Sequence, residues 1–274
     1  MKYTPKTLEG NVNISDTPPI KEFTILLIGI LGILIGIYMA LGLAVDLIVP
    51  WVPQRIEKNL GGIFLENYRI GVKTPAAEHL QQLLDSLTKA LPENELSFKI
   101  HLIEQSQPNA MALPGGHIVV CSGILNDVGS ENGLAFVLSH ELGHFTHRDH
   151  LRGLGRGLIL WAFSAVLTGN NSVITNFLAQ SLVNVEMKFS QRQETMADLF
   201  ALDLLYQRYG HVGGAEEFME NVCIKEKRGR LSYYFASHPH PRNRIKVMEE
   251  YIQEKGYLRK LPVPFNYDDL LKDS

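Results

Sequence analysis

Cysteine is almost missing from this chain. Cys121 and Cys223 are the only two among 274 residues and show no C-x-x-C spacing, which excludes a disulfide framework. An excess of charge of one sign is also missing. The 26 Lys and Arg nearly balance the 29 Asp and Glu, the net charge is −3, and the basic residues are scattered, so nothing points to nucleic acid. Internal repeats and low-complexity tracts are absent too. Long apolar runs are rare, with one exception. Phe23 to Val45 is 23 residues without a charge, ended by Asp46. At about 1.5 Å per residue it reaches roughly 35 Å as a helix, enough for a bilayer core of about 30 Å. The run is too long, and its polar lead too weakly basic, for a cleaved signal peptide, so an uncleaved anchor is expected.

What is present is chemistry of another kind. Ser139-His140-Glu141-Leu142-Gly143-His144 matches H-E-x-x-H. Residues four apart share one face of a helix, so His140 and His144 can aim two imidazoles at one point, as a zinc ion requires. Glu141 lies about 100° round the helix, within reach of a water at the metal without ligating it. Ser130 can cap a helix start. The run from Gly133 holds Leu134, Phe136, Val137, Leu138 and Leu142, which predicts a mostly buried helix. Imidazoles buried without partners would cost a few kcal/mol each, and a metal would satisfy them.

A second, acidic helix is predicted around Phe189 to Asp198. Glu194 and Asp198 share a face, and small Ala197 would let this helix approach the first one closely. A two-His-one-Glu site needs a third ligand plus a carboxylate holding a ligand His, and this pair can supply both; solvated surface acids are the alternative. Asn109 to Val120 places two short apolar runs round Pro114-Gly115-Gly116, a hairpin signal. A strand beside a zinc site offers backbone groups to an extended peptide, and His117, Ile118, Val119 and Val120 are its candidates.

A competing ligand set exists. His140, Glu141, His144 and His150 also fit H-E-x-x-H-x-x-G-x-x-H, but that scheme needs a break after the second His, and its glycine position holds His147. His147 lies one turn too far along the shared face. It is expected near the ligands' supporting groups or at the surface. His79, His101, His211 and His240 are expected to be structural or exposed.

The hairpin N-A-M-A-L-P-G-G, S-H-E-L-G-H with the following H-R-D-H, F-S-Q-R-Q-E-T-M-A-D and the late S-H-P-H-P-R-N-R-I resemble, in order, the membrane-associated zinc metallopeptidases typified by HtpX and the type I CAAX prenyl protease. The resemblance covers roughly residues 75–250. It implies a gluzincin fold and endopeptidase activity, with one zinc held by His140, His144 and Glu194. It also implies Glu141 as general base and Asp198 orienting a ligand His. His238 or Arg244 would contact the substrate or the developing oxyanion. Pairing of a substrate with the strand through backbone recognises unfolded chain more than sequence, so extended or misfolded protein is the expected substrate, in quality control; a prenyl-protein protease is the weaker reading, because one anchor cannot build its intramembrane chamber. A tethered chaperone or binding module with structural or latent zinc, His238 closing the site, is the alternative.

The expected organisation is a polar tail (1–22), an anchor (23–49), a juxtamembrane segment (50–73), a metallopeptidase domain (74–256) and a C-terminal tail (257–274). Thr74-Pro75 starts a helix with a stripe of Leu80, Leu83, Leu84, Leu87 and Leu91, and Phe98, Ile100 and Leu102 alternate as a strand does. The Glu194 helix should stop at Gly210. A shorter helix from about Gly214 to Lys225 and a last one through Ile245, Met248 and Tyr251 should follow. Leu158 to Val185, interrupted at Gly169-Asn170-Asn171-Ser172, is expected to form a helical hairpin, packed in the core or touching the membrane. The class is α+β, gluzincin-like: a mainly helical body, a small antiparallel sheet and one N-terminal transmembrane helix. Charges flanking the span nearly tie. The resemblance to single-anchor bacterial members implies an inner or plasma membrane with the catalytic domain outside the cytoplasm.

Overall fold

The computed structural model describes residues 18–65, 74–91, 96–169, 189–226, 238 and 241–265. The chain divides into two units, residues 1–44 and 45–274. Helix α1 (Pro19–Ile48) supplies all that is described of the first unit. It buries none of its side chains, and its length and apolar composition suffice to cross a membrane. A single 3-10 turn, Val49–Trp51, follows within the second unit, then helix α2 (Gln54–Leu65).

Helix α3 (Pro75–Thr88) starts where Thr74 Oγ1 accepts the Ala77 amide at 3.2 Å, with Pro75 at the first turn. Its stripe of Ala76, Leu80, Leu83, Leu84 and Leu87 is buried, and Leu91 packs at the edge. Three strands follow: β1 (Lys99–Ile103), β2 (Ala110–Leu113) and β3 (His117–Cys121). The expected hairpin is β2–β3, turning through Gly115 and Gly116 at φ +84° and +85°, where a Cβ on Gly116 would meet the Ser97 carbonyl at 2.8 Å.

The sheet is mixed, not antiparallel. β2 pairs antiparallel with β3, but β1 pairs with β3 in parallel, in the order β1-β3-β2. The physical reason is a slot. β1 and β2 run in opposite senses one strand-width apart, and the hairpin folds β3 between them. This also corrects the expected peptide-binding strand. The backbone of β3 is paired on both sides, and Ile118, Val119 and Val120 are fully buried. Among the described strands β2 is the edge that packs against the helix at residues 131–146.

After the short α4 (Ser122–Leu125), α5 (Glu131–Thr146) begins at Ser130, whose Oγ accepts the Gly133 amide at 3.0 Å. Its residues 132–145 are all buried. Helix α6 (Asp149–Thr168) is one helix of 20 residues, starting nine residues before the expected apolar half at Leu158. The second half of the expected hairpin, 170–185, lies outside the described residues. Helix α7 (Gln191–Tyr209) opens on a capping box of Ser190 and Gln193 and closes at Gly210 with φ +69°. Helices α8 (Ala215–Glu226) and α9 (Pro241–Lys255) complete the body.

The packing runs past residue 256. The Glu131 amide donates to the Val263 carbonyl, the Phe265 amide to the Gly129 carbonyl, and the Val263 amide to Asn132 Oδ1. Phe265 also stacks on His79. This strap clasps the start of α5. α5 and α7 form the closest helix pair. A Cβ on Gly143 would lie 2.9 Å from the Ala197 Cα, so glycine facing alanine allows the backbones nearly to touch.

Candidate metal centre

His140 and His144 leave α5 one turn apart. Each ring is held by a carboxylate at Nδ1: Asp198 Oδ1 at 2.9 Å from His140, and Asp149 Oδ2 at 3.1 Å from His144. That leaves both Nε2 atoms pointing inward, 3.1 Å apart. Glu194, from α7, brings its carboxylate within 3.7 Å of His140 Nε2 and 3.5 Å of His144 Nε2. His238 completes a fully buried group of four whose ligand atoms all lie within 4.8 Å of one another. Its Nδ1 is 3.1 Å and 3.2 Å from the two Glu194 oxygens.

A divalent cation fits this group. Nitrogen ligands on a tetrahedral zinc lie about 3.3 Å apart, close to the Nε2 separation here. With protons alone, two buried imidazoles share the space badly. Burial holds His140 down to about 4, while the bonds from Asp149 and Glu194 overcome burial and lift His144 to about 9. With a metal bound, His144 would give up that proton and both rings would have a partner at Nε2. The carboxylates are poised to match. Against burial, His238 and Arg244 keep Glu194 well below the usual carboxylate range, and Arg244 likewise lowers Asp198.

Glu141 differs from both. Burial raises its pKa, against the pull of His238 and His144, and its Oε2 has no hydrogen-bond partner among the described residues. It also takes a backbone bond from Ala112 on β2. A carboxyl with a raised pKa, one free oxygen and a neighbouring edge strand is suited to carrying a proton.

Arg244 is 1% exposed, and its guanidinium is spent on two carboxylates of the site, Asp198 and Glu194. Nε and Nη2 reach Asp198 at 2.7 Å and 2.6 Å, and Nη1 reaches Glu194 at 2.5 Å. His150 is not among the ligands. The chain does break after α5, at Arg148 rather than His147, with φ +57°. The turn sends His150 Nε2 to Glu57 Oε1 at 2.8 Å instead. His147 caps α5 away from the cluster. His79 and His211 are packed, His101 hydrogen-bonds His117 at 3.0 Å, and the His240 assignment lies outside the described residues.

Three supporting residues went unread in the sequence. Asp149 orients His144, and Gln193 Nε2 holds Asp149 at 2.8 Å while its Oε1 closes the α7 capping box. Phe189 stacks on His144 with centroids 3.8 Å apart. A signal existed for Asp149, an acid just past the end of the H-E-x-x-H helix; Phe189 carried none.

Two imidazoles and a carboxylate round one point, with a buried glutamate of raised pKa beside them, define the class: a metallopeptidase centre built on paired helices. The chain belongs to Peptidase family M48, whose model matches residues 75–252. It is 29% identical over 193 residues to mitochondrial metalloendopeptidase OMA1 of Schizosaccharomyces pombe, covering 68% of this chain and 56% of the yeast protein. It is 27% identical over 191 residues to metalloprotease LoiP of Escherichia coli, covering 66% of this chain and 74% of LoiP. Metalloprotease YcaL of the same bacterium is 28% identical over 167 residues, 57% of this chain and 63% of YcaL. The chain thus spans little more than half the length of the yeast relative.

Proposed function

We propose that this chain is a membrane-anchored, gluzincin-type zinc endopeptidase that cleaves extended or misfolded proteins in quality control. The observation that carries the reading is the convergence of His140, His144 and Glu194 next to a half-partnered Glu141. Two nitrogens and one carboxylate are a donor set zinc accepts, and zinc when bound supplies Lewis acidity and a water of lowered pKa. Glu141 takes the proton of the attacking water and returns it to the leaving amine. Asp198 and Asp149 fix the two imidazoles, and Arg244 fixes Asp198 and Glu194. Arg244 therefore serves the ligands rather than the substrate.

The substrate lies along β2 rather than β3, adding a strand at Ala110–Leu113 beside Glu141. Pairing through backbone selects unfolded, extended chain over a particular sequence. The anchor is residues 23–45. The domain lies outside the cytoplasm of a bacterial inner or plasma membrane, a side that protease accessibility in sealed vesicles tests.

A second reading rests on His238, whose place among the four makes it able to close the coordination shell as a structural or latent site. The deciding experiment is casein cleavage by the purified full chain with chelator and zinc re-addition, alongside metal analysis. Cleavage that stops with chelator and returns with zinc supports the enzyme. Zinc-loaded protein that never cleaves, but does so as His238→Ala, supports latency; cleavage indifferent to chelator ends both readings.

A further inference from the structure

A second cavity lies on the far side of Asp149. It measures about 600 Å³ and is lined by Arg148, Arg152, Arg156 and Arg192 with Asp46 and Asp149. Four guanidinium groups against two carboxylates leave a formal excess of positive charge, and one charge remains after Glu57, 3.5 Å from Arg148, is counted. The partners are unevenly shared. Arg156 binds both oxygens of Asp46 at 2.9 Å and 2.8 Å, and Arg152 meets Asp46 and Asp149 at 3.6 Å. Arg148 Nη1 reaches the Val49 and Val52 carbonyls at 2.7 Å and 2.8 Å. Arg192 is exposed and has no ion pair among the described residues. His147 also lines the space, with a buried Nδ1 that has no partner among the described residues.

The cavity's position says which anion it would meet. Asp46 and Pro50 belong to the stretch where the apolar run ends. Around them Leu47, Ile48 and Trp51 are 64%, 61% and 84% exposed. Tryptophan and bare aliphatic side chains at such a junction suit the headgroup level of a bilayer. Arginine forks match phosphate oxygens, and basic pockets beside a membrane span take anionic headgroups.

We propose that this cavity binds the phosphate of an anionic phospholipid headgroup. The bound phosphate bridges Arg156 on α6 and Arg192 on α7. Asp149, which lines the same cavity and is held there by Gln193, also holds His144, so the cavity wall is joined to the metal centre through one shared carboxylate.

The test uses the full chain in phosphatidylcholine nanodiscs, with and without phosphatidylglycerol, and reads the melting temperature and co-purifying lipid. Phosphatidylglycerol should raise the melting temperature by roughly 5 °C, and by less than half of that in R156Q/R192Q. R259Q, at a surface pair with Glu216 outside the cavity, should respond like the parent. R192Q alone breaks no ion pair among the described residues and should lose part of the shift if the double variant folds poorly. Inorganic phosphate is added to phosphatidylcholine nanodiscs as a separate arm. If it alone reproduces the arginine-dependent shift and the lipid gives none, the lipid source is overturned. An equal lipid response in parent and R156Q/R192Q, or no response in the parent, overturns the site itself. None of these readouts needs proteolysis, so their failure leaves the peptidase reading untouched.

Discussion

Two buried clusters flank the break between α5 and α6, built from the same residue types yet opposite in character. In one, His140 and His144 spend their Nδ1 atoms on Asp198 and Asp149, so both Nε2 atoms face a common point. In the other, His150 spends its Nε2 on Glu57, and Arg148 closes over the same carboxylate. The first is open and asks for a cation. The second is closed by Glu57 between Arg148 and His150, with only His150 Nδ1 left without a partner among the described residues. Place rather than bonding excludes the third His of the H-E-x-x-H-x-x-x-x-x-H series: the turn at Arg148 carries His150 to Glu57 and away from the point that His140 and His144 share.

The sharpest break in this comparison is chemical. Glu141→Gln should lower casein cleavage by about 10²- to 10⁴-fold with zinc content unchanged, measured by initial rates and metal analysis; equal rates would remove Glu141 as the proton carrier. The closed cluster should answer only in stability. Glu57→Ala leaves Arg148 and His150 without their carboxylate and should cost about 3 kcal/mol by denaturant unfolding, with metal affinity near that of the parent. Loss of metal instead would mean the two clusters are not separate.

Between them stands Asp149, which belongs to the open cluster but sits on the closed side of the break. Asp149→Ala should weaken zinc binding about 10- to 100-fold in a competition titration while the fold persists. The smallest effect concerns a third histidine pair. Burial, with His101 and Lys99 nearby, lowers His117 to about 4. The unfolded chain binds that proton at about 6.5, so stability is present above that pH and falls as pH drops towards 4. His117→Gln should flatten this slope by about 1 kcal/mol, read from unfolding midpoints between those limits.

Much of this was legible because it is local. Thr74, Ser130 and Gly210 mark helix ends by chemistry that acts within four residues, and all three stand where the spacing put them; the cap at Ser190 was passed over, and the helix placed from Phe189 starts at Gln191. Glu194 and Asp198 were legible as a shared face, and Ala197 as a point of close approach; its partner Gly143 was not, because which helix face meets which is decided by tertiary packing. The sheet was misread for the same reason. A hairpin is a local event, but β3's insertion between β1 and β2 depends on where β1 already lies. The strand expected to bind peptide, β3, therefore has no free edge. His150 was ambiguous in sequence because its partner, Glu57, is 93 residues away.

The strap at residues 263–265 has a temporal meaning. The first turn of the metal-bearing helix is clasped by backbone that the ribosome makes some 130 residues later. A nascent chain can carry His140 and His144 long before that clasp exists, so the cleaving centre gains its full support only near the completion of the domain. The peptidase centre thereby stays unfinished until most of its own domain has been made.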